Sequence, residues 1–173
     1  KTARVHTIVS FFYNSGARVQ EVAKVKAKDL THRSDGSILV KIHGKGGRNR
    51  RVVLNLSFSK RLRAFAQDLP EDASLFYGQR GALTHSGLRK VIKRIVRRAK
   101  LNPRISPHWL RHYFANTALN NGARLHHVSH ALGHKSLRTT SVYTHGTLST
   151  SEAPSSFLAK AKEIVEETAL LPM

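Results

Sequence analysis

The hydrophobic spacing of this chain changes period along its length, and that change bounds the fold. Val5, Ile8, Val9 and Phe12 recur at i, i+3, i+4 and i+7, the apolar stripe of a helix. Asn14-Ser15-Gly16 supplies a C-terminal stop. Arg18 to Val22 begins a short second helix, with Val19, Val22 and Ala23 inward. The period then drops to two. Ile38, Val40 and Ile42 alternate, as do Val52 and Leu54, and both runs are rich in β-branched residues. Between them lies HGKGGRNRR, a glycine-loosened and strongly basic hairpin turn. Helical spacing returns in Phe58, Leu62, Phe65 and Leu69, stopped by Pro70. It appears again in Leu88, Val91, Ile92, Ile95 and Ala99, with Thr84 or Ser86 as cap. Trp109, Leu110, Phe114, Ala118 and Leu119 mark a buried helix that Asn121-Gly122 stops. Leu125, Val128, Ser129 and Leu132 mark another, closed by Gly133. Residues 70–85 read as loop or short strand, and 101–107 as a linker held by two prolines. The pattern predicts an α+β domain, mainly helical, with a small antiparallel sheet or hairpin.

Charge narrows the function. The 173 residues hold 30 Lys and Arg against 10 Asp and Glu, a formal +20, with a pI near 11.3. A chain this basic calls for a polyanionic partner. From Ala73 to Ser151 there are 13 basic residues and not one acid. Two-metal nucleases and paired-carboxylate glycosidases need clustered acids, which that stretch cannot supply. Zero cysteines exclude disulfides and thiolate metal sites and suit a reducing cytosol. No apolar run approaches the roughly 18 residues of a membrane span. Lys1-Thr2-Ala3-Arg4 leads into an amphipathic segment rather than a signal peptide.

Three short motifs stand close together: His108-x-x-Arg111, Leu132-Gly133-His134, and Tyr143 followed by Thr144-His145. With 11 His and 17 Arg, roughly one His-x-x-Arg arises by chance, so no single piece decides anything. In combination they hold a phenol, imidazoles and a guanidinium. A phenol can act as nucleophile on a phosphodiester, a guanidinium can grip its oxygens in a planar fork, and imidazoles can move protons near neutral pH. The ordered set HWLRH, LGHKS and TTSVYTH resembles the catalytic box of the tyrosine recombinases, the phage integrase family. The stretch SGARVQEVAKVKAKDL resembles the family segment carrying its first catalytic arginine, here Arg18. The basic turn resembles the family's mobile hairpin, whose lysine would be Lys45.

The resemblance implies a catalytic set of Arg18, Lys45, His108, Arg111, His134 and Tyr143. Arg18 and Arg111 would clamp the non-bridging oxygens, and Glu21, one helical turn on, would orient Arg18. His108 would exchange a proton, His134 would donate to the phosphate and Lys45 would protonate the leaving 5′ oxygen. His134 is expected at an exposed bend. The product would be a 3′-phosphotyrosyl bond, formed without metal, cofactor or ATP. Arg48, Arg50 and Arg51 of the turn read as solvated or touching only backbone phosphate. Arg89, Lys90, Lys93, Arg94, Arg97 and Arg98 form an acid-free outer helix face suited to DNA. Residues 1–150 would be the catalytic domain. Residues 151–173 would be a linker and a last helix, about Phe157 to Leu171, that contacts a neighbouring protomer. The family's amino-terminal DNA-clasping domain is expected to be missing from this chain.

The expected partner is double-stranded DNA, with a homo-tetramer assembled on it, in the cytoplasm of a prokaryote at its nucleoid. Two rivals stand beside recombination: a type IB topoisomerase-like relaxing enzyme, and a basic DNA-binding module without catalysis. A zinc site among His126, His127, His130 and His134, or at His108 and His112, has suitable spacing but no cysteine and no nearby acid behind it.

Overall fold

The computed structural model describes residues 2–134. The chain opens on helix α1 (Thr2–Ser15) and the one-turn helix α2 (Val19–Val22). A 3₁₀ turn (Ala27–Asp29) leads to strands β1 (Leu30–His32), β2 (Ile38–His43) and β3 (Asn49–Leu54). Helix α3 (Leu56–Ala66), a two-residue hairpin of β4 (Tyr77–Gly78) and β5 (Gly81–Ala82), and helices α4 (His85–Arg98), α5 (Pro107–Asn120) and α6 (Leu125–Leu132) follow. This is the mainly helical α+β architecture that the change of period predicts. Tyr143, His145 and the whole of 151–173 lie outside the described residues.

The larger sheet is antiparallel in the order β1-β2-β3. β2 and β3 pair Ile38 with Leu54, Val40 with Val52 and Ile42 with Arg50. Period-two alternation therefore puts one face of both strands inward. β1 is the strand the residue pattern did not show, because three residues are too few to display a period. Its pairing of Leu30 with Val40 extends the sheet.

The core lies between this inner face and α1, α3 and α4. Ile8, Phe11, Phe12, Ile38, Val40, Ile42, Phe58, Leu62, Leu88 and Ile92 are all buried there. Phe11 meets Phe58 and Phe76 edge-on, with ring centroids 6.4 and 5.3 Å apart. The buried face of α1 is rotated from the expected stripe, so Phe11 is enclosed and Val5 and Val9 are only half-buried. The cause is double packing: α1 lies against both α3 and α5. Likewise α3 ends at Ala66, and Leu69 reaches the core from the turn beyond.

On α4, Leu88, Ile92 and Val96 point inward, while all six basic residues of the outer face are exposed. Thr84 caps it, its hydroxyl accepting from the Gly87 N–H at 3.1 Å. α5 starts with Ser106 as cap and Pro107 in the first turn. It packs on α6 through a second small cluster of Ala115, Val128 and Leu132. Among the described residues no helix is long and apolar enough to cross a membrane.

Candidate active site

The C-terminal end of α6 gathers the site. A helix leaves its last four carbonyls without partners inside the helix, and each must be satisfied elsewhere. Ser129 accepts from the His134 N–H at 3.1 Å and His130 from the Gly133 N–H at 2.9 Å. With Gly133 left-handed at φ 67°, this is a Schellman turn. The other two carbonyls take arginines. Ala131 accepts from Arg50 Nε at 2.6 Å. Leu132 accepts from Arg111 Nη2 at 2.7 Å and from Arg18 Nη1 at 3.5 Å. Three guanidiniums thus converge where the helix dipole is negative and favours cations.

Arg111 comes from α5 and is 3% exposed. Its Nη1 also donates to the Gly16 carbonyl at 2.6 Å, bridging the α1–α2 turn to the end of α6. Arg18 stands at the N-cap of α2 with its side chain 48% exposed. Arg18, His108 and Arg111 line one cleft of about 400 Å³ with Arg89 and Lys93 of α4. Lys93 also donates to the Pro103 carbonyl, which ties α4 to the loop leading to His108.

His108 is exposed, and its Nε2 lies 2.7 Å from His112 Nε2, so the tautomers decide which ring donates. Burial first, then the charges of His108 and Arg111, hold His112 below the ordinary histidine range. His134 departs from the exposed bend expected of it. The Schellman turn leaves it half-buried at the helix end where the arginines converge. Burial, followed by the charges of Arg111, Arg18, Arg50 and His112, brings it down to about 4. At neutral pH the ring is uncharged and keeps one N–H for donation.

This shift has a consequence for stability. Unfolded, His134 takes its proton near 6.5; folded, only near 4. Between those values the unfolded chain binds more protons, so stability is full above 6.5 and is lost as pH falls through the window. His112 acts in the same direction. The depressed Glu21 carboxyl contributes only below its ordinary 4.5. The urea midpoint should therefore fall between pH 7 and 5, and His134→Gln should flatten the decline. An identical slope in the variant would reject this assignment.

Arg50 corrects the reading of the hairpin turn. It is 8% exposed, not solvated or laid on a phosphate. Its Nη1 and Nη2 donate to Glu21 Oε1 and Oε2, both at 2.8 Å. The parity of β3 explains the placement: residues 50, 52 and 54 share the inward face. That parity was the available signal, because an inward arginine needs a buried acid. Glu21 itself, expected to orient Arg18, holds it mainly through its backbone. The Arg18 N–H donates to Oε2 at 2.7 Å, whereas Nη1 reaches Oε1 only at 3.3 Å. Arg48 and Arg51 remain exposed. Lys45 is exposed in the turn and does not line the cleft. His126, His127 and His130 are exposed too. Among the described residues no three His, Asp or Glu side chains group closely enough to hold a metal ion.

Residues 1–149 match the model of the phage integrase family. The chain belongs to that family. A tyrosine recombinase XerC of Lactobacillus delbrueckii subsp. bulgaricus is 37% identical over 153 residues, covering 83% of this chain and 51% of that protein. A tyrosine recombinase XerD of Rhizobium meliloti is 36% identical over 149 residues, covering 82% and 47%. This integrase-family chain therefore spans about half the length of the curated relatives it matches. Among solved structures, XerA recombinase superposes with a TM-score of 0.74 at 26% identity, covering 99% of this chain and 60% of the other. XerH recombinase, bound to its difH substrate before cleavage, gives 0.72 at 30% identity, covering 98% and 47%.

Proposed function

We propose that residues 1–150 are the catalytic domain of a site-specific DNA recombinase that cleaves and rejoins strands through a 3′-phosphotyrosyl intermediate. The observation that carries this reading is the meeting of Arg18, His108 and Arg111 on one cleft, with both arginines bound to the Leu132 carbonyl two residues before His134. The family and the recombinase neighbours, one of them bound to its difH substrate, support it. Double-stranded DNA is the proposed partner, its backbone running along the exposed basic face of α4.

In the proposed step the Tyr143 phenolic oxygen attacks phosphorus and the bond between phosphorus and the 5′ oxygen breaks. His108 takes the phenolic proton, and Lys45, swung in on its hairpin, gives a proton to the leaving 5′ oxygen. Arg18 and Arg111 hold the charge growing on the non-bridging oxygens, the kind of stabilisation commonly worth about 2.7–4 kcal/mol per donor. His134 donates its one N–H to the same oxygens. The phosphotyrosyl bond retains the energy of the broken linkage, so a second 5′-hydroxyl reverses the reaction without ATP. Residues 151–173 would supply the contact between protomers of a tetramer on DNA.

The test is a pool of duplexes randomised around a single nick, labelled 5′ on the strand that would be retained. Loss of the short nicked fragment traps the intermediate. The expected result is a denaturant-resistant protein–DNA adduct whose label maps to Tyr143 by mass spectrometry. Absence of any adduct, or attachment at another residue, overturns the reading and leaves a basic DNA-binding module.

A further inference from the structure

The ion pair of Arg50 and Glu21 has no part in the chemistry proposed above, yet it joins three segments that each carry a site residue. Arg50 comes from β3, one arm of the hairpin whose turn holds Lys45. Glu21 lies in α2, which starts at Arg18. Ala131, the third partner, is two residues before Gly133 and three before His134. One guanidinium, using Nε, Nη1 and Nη2, ties all three together.

The bond lengths rank the claims on Glu21. Each carboxylate oxygen accepts from Arg50 at 2.8 Å, in the planar two-pronged geometry that fixes the plane of the acid. The Arg18 side chain is left with the longer contact of 3.3 Å and stays half exposed toward the cleft. Glu21 is 6% exposed, so its charge is not dissipated into water. A buried carboxylate deprived of Arg50 must find its compensation elsewhere, and Arg18 is the cation already beside it.

We propose that Arg50 is a positioning residue for Arg18. By occupying both oxygens of Glu21, it prevents that acid from closing on the Arg18 guanidinium and leaves it aimed at a phosphate. Through Ala131 it also fixes the helix end that delivers His134. The inference rests on the reading of the cleft as a phosphodiester site and names what keeps that site positive.

The experiment compares Arg50→Met, Glu21→Gln and the double variant with the wild-type chain in two assays. One is adduct formation at saturating nicked duplex. The other is titration with inorganic phosphate, followed by the arginine Nε–Hε resonances, which needs no cleavage. Arg50→Met should weaken phosphate binding at Arg18 about tenfold, the loss of roughly one charge-assisted hydrogen bond, and slow adduct formation at least as much. In the Glu21→Gln background there is no acid for Arg50 to restrain. Adding Arg50→Met there should change either readout by less than about twofold. A purely structural Arg50 would instead lower both readouts in both backgrounds, and that overturns the proposal. Wild-type phosphate affinity in folded Arg50→Met overturns it as well. If Arg50→Met alone does not fold, the comparison within the Glu21→Gln background decides. A missing wild-type adduct together with the expected phosphate series defeats strand transfer but leaves the role of Arg50 standing. An adduct with a flat phosphate series does the reverse.

Discussion

Arg111→Ala is expected to lower stability by about 3–4 kcal/mol and to slow adduct formation by at least about a hundredfold in the molecules that remain folded. The two effects have separate causes in one side chain. The guanidinium is 3% exposed and donates at 2.6 Å to Gly16 and at 2.7 Å to Leu132. Truncation leaves two inward-facing carbonyls without their short partners, and an orphaned buried acceptor costs about 1–3 kcal/mol. Arg18 cannot replace it at Leu132, because its approach there is already 3.5 Å. For a chain of this length, that loss lowers the melting temperature by about 10 °C. The kinetic effect follows from the proposed chemistry, in which the same group faces the transition-state oxygens. Arg111→Lys should fail similarly, since a single ammonium cannot make a two-pronged bridge between α1 and α6. Calorimetry and the nicked-duplex assay check the two arms. A variant that melts with the wild type, or forms adduct at its rate, would contradict the placement of Arg111 at the centre of the site.

How much of this was legible in the residues depended on whether a position obeyed a local rule. The longer helices and β2 were readable because apolar residues mark period 3.6 or two over five or more positions, and Val52 and Leu54 were readable as the partner of β2 across the glycine-rich turn. His108 and Arg111 share a helical face by spacing alone, and both reach the cleft. Arg50 was hidden because it sits beside a turn whose other basic residues are solvated, and composition outweighed strand parity there. The backing of Leu132 by two arginines was not legible at all. Arg18, Arg111 and Leu132 are brought together only by tertiary packing. The half-buried state of His134 belongs to the same class: LGH announces a helix end but not what the end folds against. The rotation of α1 toward Phe11 likewise required knowing that two helices flank it.

Gly16→Ala is expected to cost about 2–5 kcal/mol, an unusually large effect for one added methyl group. Gly16 has φ +58°, a left-handed conformation that costs an L-residue with a side chain about 1–2 kcal/mol. The methyl would also stand 2.5 Å from Phe114 Cδ1 and 3.0 Å from its Cγ. Contact with Cγ means that the base of the ring is struck as well as its tip. Rotation of the phenyl group does not clear it, so α5 must move away from α1, or the turn must distort. Overpacking of this kind costs a further 1–3 kcal/mol or so. The Gly16 carbonyl is the acceptor of Arg111 Nη1, so a displaced turn also loosens the buried arginine. Adduct formation should fall along with stability. Gly122→Ala is the control: φ is +81° and no atom lies within 4 Å of the new methyl, so only the backbone cost of about 1 kcal/mol remains. Equal destabilisation of the two variants would show that the approach of α5 to this turn is looser than 2.5 Å implies, and that Arg111 is not held from the α1 side.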